Sequence, residues 1–282
     1  MRAGYLGPPG TNSHDALARS GVEAEPVPFA SVASVVAAVQ DGTVERGLVP
    51  VENSREGGVG ATLDALVFDA PDLRIVGEVV HAVTYCLVAA EPIAPDEVRT
   101  VHSHPQALGQ CAGFLRAQLP GAAVVAEPST ADAVRAVAEG GVLAGAEPHA
   151  AIGTRHAARL YGATVLAEAL EDDDDNATRF AWIARDGAVA PPSDGPATTA
   201  LVFWGGGDLD PGWLVDCLTE FSSRAINLTR IESRPRRVGL GHYMFFCDLQ
   251  AAASNPAVAD AIAGLRGHCE AVRVLGSYRS GH

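Results

Sequence analysis

Four short segments of the chain combine glycine or proline with small hydroxyl and amide side chains. Each follows a strand-like apolar run and precedes a helix-like pattern; they are residues 7–14 (GPPGTNSH), 50–54 (PVENS), 102–106 (HSHPQ) and 128–131 (PSTA). In open α/β sheets such junctions lie at the carboxyl ends of strands, where ligands bind. Because free N–H groups at a helix N-terminus attract anions, the four segments together predict a site for a small anionic ligand. Taken singly, each segment also fits an ordinary helix N-cap.

A fifth segment, residues 176–180 (NATRF), follows the acidic run 172–175 and leads into a predicted strand. Thr178 can hydrogen-bond a departing hydroxyl while the neighbouring Arg179 holds a carboxylate. The same pair also fits the start of an ordinary strand, where a β-branched residue precedes an exposed Arg. The acidic run itself is typical of a solvated turn.

Residues 227–235 (NLTRIESRP) alternate apolar or hydroxyl side chains with charged ones, as a half-buried strand does. The pattern ends at Pro235, which cannot donate to a strand ladder. Glu232, Ser233 and Arg234 therefore place an acid, a hydroxyl and a guanidinium at one rim, which is unusual for a purely structural strand.

The titratable residues give no reason to expect a metal or an organic cofactor. His14, His102 and His104 lack a matching Cys or carboxylate set at ligand spacing. The five cysteines are odd in number and widely spaced, which predicts reduced thiols in a cytosolic protein. All twenty basic residues are Arg, so a lysine Schiff base is excluded.

The composition limits the class of protein and its partners. A chain of 282 residues, 48% of them hydrophobic, suffices for about two domains. The net charge of −14 disfavours nucleic acid as a partner. No apolar run is long enough to span a membrane, and the chain begins with a strand-like run in place of a signal peptide, so we expect a cytoplasmic protein.

Before residue 187, short apolar runs alternate with helical patterns, which predicts α/β layers with mostly parallel sheets and two lobes separated by a cleft. The predicted strands are residues 2–6, 47–51, 74–77, 82–89, 100–101, 122–126, 142–145, 165–167 and 179–184. The predicted helices are residues 13–20, 31–40, 61–68, 105–119, 130–139 and 148–161.

Residues 187–196 (GAVAPPSDGP) have the composition of a linker, which separates predicted domains at 1–186 and 197–282. The second domain has a ferredoxin-like βαββαβ order. Its predicted strands are residues 197–204, 226–234, 242–250 and 271–275, and its predicted helices are residues 211–224 and 256–268. The first of these helices is expected to begin with Asp210 as its cap and Pro211 in its first turn.

Taken in order, the motifs resemble those of the prephenate dehydratase family along nearly the whole chain. The matching strings are GYLGPPGTNSHDA, LVPVENSREGGVGATLD, HSHPQALGQC, PSTADA, AAIGTRHAARLYGATVLAE, NATRF, NLTRIESRP and VLGSYR. The resemblance implies a two-lobed catalytic domain at 1–186, similar to a type II periplasmic binding protein, and an ACT regulatory domain at 197–282.

The reaction that the resemblance implies converts prephenate to phenylpyruvate, carbon dioxide and water in L-phenylalanine biosynthesis. Such a carbon–oxygen lyase needs no metal, nicotinamide or covalent nucleophile. It needs to orient the substrate, assist the departing oxygen and hold the pyruvyl carboxylate.

The resemblance also assigns roles to residues. Thr178 matches the catalytic Thr of the family, with Arg179 stabilising a substrate carboxylate or the pocket geometry. The residues assigned to catalysis are Thr178, Arg179, Asn53, Ser103 and Gln110. The residues assigned to substrate binding are Thr11, Ser13, Glu52, Ser54, Ser129, Thr130 and Phe180. For Glu52, a capping carboxylate near a helix start is an equal alternative.

In the ACT domain the resemblance implies a site for L-phenylalanine between subunits. The residues assigned to it are Gly212, Leu214, Val215, Asn227, Leu228, Glu232, Ser233, Arg234 and Pro235. Trp213 replaces the small Ala of the family motif, so its indole either narrows the pocket or faces away. Asn12 stands where the family usually has an aromatic. Because ACT domains commonly pair, we expect a homodimer or homotetramer formed through the ACT and catalytic domains, with phenylalanine as a feedback effector.

Two other functions stay open at this point. Arogenate dehydratase performs the same chemistry on a substrate with an ammonium group in place of the keto group, and an added acid near that end would favour it. A non-catalytic amino-acid sensor would use the same folds without needing Thr178.

Overall fold

The computed structural model describes residues 1–140, 148–173, 175–188, 196–207 and 210–280. The strands are β1 Arg2–Leu6, β2 Glu25–Phe29, β3 Arg46–Asn53, β4 Gly57–Gly58, β5 Leu73–Ala82, β6 Cys86–Ala89, β7 Thr100–Ser103, β8 Ala123–Ala126, β9 His149–Gly153, β10 Thr164–Glu168, β11 Ala177–Arg185, β12 Ala197–Trp204, β13 Leu228–Pro235, β14 Tyr243–Leu249 and β15 Ala271–Arg279. The helices are α1 Asn12–Arg19, α2 Val32–Gln40, α3 Gly60–Phe68, α4 Pro105–Gln110, α5 Ala112–Gln118, α6 Thr130–Ala138, α7 Arg155–Tyr161, α8 Trp213–Ser222 and α9 Pro256–His268.

The strands form three sheets. The first has the order β2-β1-β3-β11-β5, with β4 paired to β3, and the second has the order β10-β6-β9-β7-β8. The third, in the order β13-β14-β12-β15, arises from the predicted βαββαβ sequence of elements. The α/β class and the ferredoxin-like order are therefore confirmed.

The second sheet is mixed, whereas the sequence predicts mostly parallel sheets. Its pairs β7–β8 and β7–β9 are parallel, but β6 runs antiparallel to both β9 and β10. Apolar periodicity along one strand carries no information about the direction of its neighbours, so this reversal could not be inferred from the alternation of elements.

Several predicted elements differ from the structure. Residues 148–161, predicted as one helix, form strand β9 followed by α7, because Thr154 caps the helix by accepting from the Ala157 N–H. The predicted helix 105–119 divides at Cys111, where φ is −113° and ψ is 18°. Strand β2 was missed; its two prolines fit a position at the edge of the sheet.

Two further expectations concern segment boundaries. Helix α8 begins at Trp213, with Gly212 as its N-cap at φ 91°, so the predicted capping role of Asp210 is wrong. The left-handed conformation at this cap suits glycine. The predicted strand 142–145 and residues 189–195 of the predicted linker lie outside the described residues.

The residues group into two compact units. The first unit comprises residues 1–35, 48–57 and 80–180, and the second comprises 36–47, 58–79 and 181–282. In the first unit, apolar clusters cover both faces of the second sheet; Val101 and Ile152 belong to one cluster, and Val134 and Ala151 to the other.

In the second unit, one face of the third sheet packs against α8 and α9 around Phe203, Phe221 and Leu265. Its other face meets α3 and β5. A Cβ added to Gly276 would overlap the backbone of Ile75. Arg273 donates to the carbonyl of Val67 in the last turn of α3 (3.2 Å) and to those of Ala70 (3.1 Å) and Pro71 (2.8 Å) after its end. Helix α3 and strand β5 are thus part of the packing around the third sheet.

Candidate active site and effector region

Two buried side-chain amides organise the candidate catalytic residues. Asn53 ends β3, and Asn176, which is 2% exposed, immediately precedes β11. Asn53 Nδ2 donates to Asn176 Oδ1 at 3.1 Å, and Asn176 Nδ2 donates to Gln110 Oε1 at 2.8 Å. Because buried amides without partners are costly, this chain of hydrogen bonds fixes the three side chains relative to one another.

Thr178 is joined to this network. Its Oγ1 accepts from Asn53 Nδ2 at 3.0 Å, and the same nitrogen lies 3.2 Å from the Ala177 carbonyl. The Asn53 oxygen in turn accepts from the N–H groups of Arg55 (2.9 Å) and Glu56 (3.2 Å), which fixes the orientation of the amide. Within the described part of the chain, no acceptor takes the Thr178 hydroxyl hydrogen, so it is available to a bound molecule.

Arg179 forms an ion pair with Glu52. Its Nη2 and Nε lie 2.8 and 3.2 Å from the same carboxylate oxygen, Oε2. The carboxylate of Glu52 therefore balances and orients the guanidinium. Glu52 is not among the described residues that line the cavities, so its role as a pocket acid stays a prediction.

Ser54 links the segment that carries Asn53 to the segment that carries Thr178. Its Oγ donates to the Asp175 carbonyl at 3.1 Å and accepts from the Ala177 N–H at 3.0 Å. These bonds tie the segment after β3 to the segment before β11, so that Asn53 and Thr178 stay in register.

A cavity of about 760 Å³ lies within the first unit. Four of the residues assigned to substrate binding, Thr11, Ser13, Ser129 and Thr130, line it. Asn12, Tyr85, His104 and apolar residues such as Leu6 and Phe29 complete the wall. Thr11 caps α1 by accepting from the His14 N–H (3.4 Å), and Ser129 caps α6 by accepting from the Asp132 N–H (3.0 Å). Two helix N-termini therefore begin at the cavity wall, where they favour anions. The capping and ligand-binding interpretations of these residues are compatible.

Few charges line the cavity. Its one acidic side chain among the described lining residues, Asp132, accepts from Ser129 Oγ and from Arg135 Nη2, both at 2.8 Å. Burial raises the pKa of Tyr85 to about 12, so its hydroxyl stays protonated. The Asn12 side chain hydrogen-bonds the Tyr85 hydroxyl, while Asn12 Oδ1 is buried without a partner among the described residues. Tyr85 was missed by sequence reasoning because nothing in its strand-like surroundings distinguishes it from a core residue.

The string 232–235 in strand β13 divides between the two faces of the third sheet. Arg234 holds Asp64 of α3 through two parallel bonds, Nε to Oδ1 at 3.1 Å and Nη2 to Oδ2 at 2.9 Å, and Arg237 adds a third at 2.8 Å. Burial alone would raise the pKa of Asp64, but the hydrogen bonds from the two guanidinium groups outweigh it and leave the pKa lowered. Ser233, by contrast, pairs with Phe245 on the face that α8 and α9 cover.

Glycines in residues 58–60 make room for this string. A Cβ on Gly58 would overlap the carboxylate of Glu232, and one on Gly60 would lie 2.5 Å from Arg234 Cζ. Arg230 links Glu232 (3.0 Å) to the buried Asp248 (2.9 Å). The charged side chains of β13 are therefore engaged with α3 and with the sheet itself.

A smaller cavity of about 190 Å³ adjoins the start of α8. It is lined by Gly212, Leu214 and Val215 of the predicted effector set, and by Trp213 and Phe245. The members of that set at the start of α8 therefore line this cavity, whereas Glu232 and Arg234 lie against α3.

The Trp213 indole is 8% exposed and is anchored in the core. Its Nε1–H donates to the His268 carbonyl at 2.8 Å, and its ring lies 6.1 and 5.9 Å from the rings of Phe203 and Phe245. It forms one wall of the smaller cavity without projecting away from the sheet.

Comparison with known proteins gives a consistent result. The family model described as prephenate dehydratase matches residues 3–188. The chain belongs to the prephenate dehydratase family. Two curated members are similar over nearly full length: the protein of Mycobacterium marinum, 38% identical over 99% of this chain and 89% of its own, and that of Amycolatopsis methanolica, 39% identical over 98% and 88%.

Two solved structures superpose on nearly the whole chain. The prephenate dehydratase of Arthrobacter aurescens, determined in complex with L-Phe, is 37% identical and superposes with a TM-score of 0.88 over 99% of this chain and 90% of its own. A protein described as GqqA, a novel type of quorum quenching acylase, is 29% identical with a TM-score of 0.87 over 99% and 98% of the two chains.

Within this family fold, the predicted site residues form two groups. Asn53, Ser54, Gln110, Thr178 and Arg179 with Glu52 belong to the amide network and its neighbours, whereas the four hydroxyl residues line the cavity. Ser103 is fully buried and donates to the Ile152 carbonyl at 2.6 Å, and Phe180, 1% exposed, packs edge-on against His81. Neither is among the described residues that line the cavity, and the same holds for the residues of the amide network. The assigned roles of all these residues stay predictions.

Asn176 was not assigned a role from the sequence, although it begins the NATRF segment. Its partners lie 66 and 123 residues away in the chain. The signal that could have found it is an amide side chain directly before strand β11, two residues ahead of Thr178.

Replacing Asn176 with Ala should remove the centre of the amide network. The Asn53 and Gln110 amides would lose a buried partner, which costs about 1–3 kcal/mol of unfolding free energy. Urea denaturation measures the change. Asn227→Ala is the matched control, because the Asn227–Gln250 amide contact of 3.0 Å is exposed; equal losses in the two variants would contradict the account.

Replacing Asp64 with Asn should destabilise the second unit in a pH-dependent way. Because the pKa of Asp64 is lowered in the folded protein, its stabilisation is present above the ordinary Asp pKa and is lost as pH falls through the lowered value. We expect a loss of about 1–3 kcal/mol at neutral pH and a smaller difference from the wild type in acid. Asp72→Asn, at an exposed hydrogen bond from Gln40 (3.1 Å), is the control; a wild-type-like Asp64→Asn at neutral pH would disprove the role of the pair.

Proposed function

We propose that this chain catalyses the decarboxylative dehydration of prephenate and that Thr178 is the residue that assists the departing hydroxyl. The observation that carries this proposal is the Thr178 hydroxyl, held at its oxygen by Asn53 and with its hydrogen available, in a chain that belongs to the prephenate dehydratase family.

The reaction balances with one proton taken up. The ring carboxylate of the prephenate dianion leaves as carbon dioxide, its bonding electrons pass through the diene, and the carbon–oxygen bond at the ring hydroxyl breaks. The departing hydroxide takes a proton and leaves as water, and the aromatic phenylpyruvate anion remains. Since a Thr hydroxyl is a weak acid at neutral pH, Thr178 orients the leaving oxygen or relays a proton to it from solvent and does not act as the ultimate acid.

The cavity supplies the binding part of this proposal. The N-termini of α1 and α6, with Thr11 and Ser129 at their caps, offer partial positive charge to the pyruvyl carboxylate. The apolar walls around Leu6 and Phe29 suit the ring. Arg179, oriented by Glu52, is the cation of the network nearest in sequence to Thr178 and is assigned to carboxylate stabilisation.

One observation bears on arogenate as the alternative substrate. Asp132 lines the cavity, but its two oxygens already accept from Ser129 and Arg135. A carboxylate with these partners is a weaker counter-ion for an added ammonium than a free one, which favours prephenate.

We further propose that L-phenylalanine binds at the smaller cavity beside α8 and that a second copy of the chain completes this site. Strand β13 ends its sheet, and the apolar side chains of Val215 (65%), Ile231 (47%) and Tyr243 (43%) are exposed around it. Edge strands of this kind pair readily with another chain. A homodimer, or a tetramer of dimers, fits these features.

We also propose that the protein functions in the cytoplasm. Among the described residues no helix is long and apolar enough to cross a membrane. All five cysteines are free thiols, four of them buried, which suits the reducing cytoplasm.

The activity is tested by following phenylpyruvate formation with purified protein and either prephenate or arogenate. Turnover of prephenate that falls as phenylalanine is added supports both the enzyme and its effector site. Turnover of arogenate alone would transfer the proposal to that substrate, and turnover of neither would favour the sensor.

Thr178→Val should lower kcat by about 10²–10⁴-fold, the range of a positioned proton-transfer group, with KM little changed. Thr178→Ser keeps the hydroxyl and should retain most of the activity. A Val variant that turns over prephenate at the wild-type rate would remove Thr178 from the mechanism.

Light scattering tests the shared effector site. We expect a dimer or larger with phenylalanine present, and a replacement of Val215 with Asp, which puts a charge on the exposed apolar surface, should shift the protein towards monomers and weaken the response to phenylalanine. A wild-type monomer that still responds would contradict a site completed by a second copy.

A further inference from the structure

The segment 7–11 lines the larger cavity through Gly7, Pro8, Pro9 and Thr11, with Gly10 turned away from it. We call this segment the cavity loop. Gly10 is buried at φ 94°, and a Cβ added there would lie 3.1 Å from Ala157 Cβ and 3.2 Å from Tyr161 Cε2. The loop therefore rests directly on helix α7, which contributes none of the described residues that line the cavity.

Side chains at both ends of α7 hold the backbone of the cavity loop. Tyr161 donates its hydroxyl hydrogen to the Pro9 carbonyl at 2.7 Å. Thr154, 2% exposed, donates to the Gly10 carbonyl at 3.0 Å and at the same time caps α7. Two successive carbonyls of the loop are thus fixed from behind.

A third contact holds the N–H of Gly10. His14 Nδ1 accepts it at 3.1 Å, and His156 Nε2 of α7 lies 3.1 Å from the same nitrogen. Because Nδ1 already accepts from Gly10, it carries no hydrogen, and His156 is the donor in the second contact. The His14 ring also stacks on Tyr5, with centroids 4.7 Å apart and planes at 10°.

We propose that α7 positions the cavity loop for the substrate, with Tyr161, Thr154 and His14 as positioning residues that determine substrate affinity. This inference rests on the proposed function for its kinetic test. These residues act through the loop and do not touch the reacting atoms, so their loss should raise KM much more than it lowers kcat.

The His14 contact makes this positioning sensitive to pH. Burial lowers the pKa of His14, His156 lowers it further, and Asp15 raises it. The other titratable groups around the cluster are Tyr5, whose pKa burial raises to about 12, and His81, which with Arg19 contacts Asp15. His14 is therefore neutral at pH 7. Below its pKa, Nδ1 gains a hydrogen and cannot accept from Gly10, so KM should rise in acid.

The first test is Tyr161→Phe, which removes only the hydroxyl. We expect KM for prephenate to rise about two- to tenfold, the factor that corresponds to one lost neutral hydrogen bond, with kcat within about twofold. Arg159→Ala, an exposed position of the same helix, is the matched control and should keep the wild-type KM. A wild-type KM in Tyr161→Phe would overturn the proposal.

The second test separates the His14 acceptor from its ring. In His14→Asn, the side-chain oxygen can replace Nδ1 as acceptor and does not titrate. The KM of this variant should therefore stay low at all pH values. Because the wild-type KM rises in acid, the ratio of the variant KM to the wild-type KM should fall as pH is lowered. In His14→Phe the stacking ring remains and the acceptor is lost, so KM should be raised at neutral pH as well. An acid rise in His14→Asn equal to that of the wild type would contradict the role of His14.

A measurement without turnover distinguishes this inference from the proposed function. Hydrogen exchange of the Gly7, Gly10 and Thr11 amides, the three backbone N–H groups of the cavity loop, should be faster in Tyr161→Phe than in the wild type or Arg159→Ala. If the wild type turns over no prephenate, the proposed function fails, and the exchange rates still test whether α7 fixes the loop. Unchanged exchange in Tyr161→Phe would overturn the positioning, whatever the activity.

Discussion

The buried hydrogen bond between the amides of Asn53 and Asn176 is the interaction on which the arrangement of the candidate catalytic residues depends. It joins the end of β3 to the start of β11, two strands that the chain reaches more than a hundred residues apart. A buried amide that lacks a partner costs more than a surface contact gains, so the two strand ends have one favourable arrangement. Thr178 follows Asn176 by two residues and is placed by the same donor, Asn53. The position of the Thr178 hydroxyl is thus a consequence of satisfying buried polar groups.

A comparable constraint holds in the second unit, where ion pairs and hydrogen bonds from Arg side chains fix the packing. Asp64 accepts hydrogen bonds from the guanidinium groups of Arg234 and Arg237. Arg273 donates hydrogen bonds to backbone carbonyls that follow α3. Glycines at 58 and 60 permit the close approach of Glu232 and Arg234. Arg234, which the family resemblance assigns to effector binding, is already paired in this structure. An effector carboxylate that used Arg234 would have to compete with Asp64 for the guanidinium.

The sequence predicted the features that depend on local chemistry. Thr11 and Ser129 were recognised because an N-cap has a fixed residue type and position, and the βαββαβ order followed from apolar periodicity. The strand β9 was mistaken for helix because its buried Ala-Ala-Ile run has no alternation to distinguish the two. The partners of Asn176, Asp64 and Tyr161 could not be predicted from local pattern, since each contact joins segments that only the folded chain brings together. The roles assigned to Asn53 and Thr178 came from family resemblance, since the local pattern alone also fits a helix N-cap segment at Asn53 and the start of an ordinary strand at Thr178.

A double-mutant cycle between Asn53→Ala and Thr178→Val, measured as kcat for prephenate, tests the central claim most directly. If Asn53 acts by placing the Thr178 hydroxyl, its replacement should lower kcat strongly in the wild type and little in the Thr178→Val background. The coupling energy should then be at least about 1 kcal/mol, within the range found for residues in contact. Effects on kcat that simply add would show that the two side chains act independently and would contradict the account.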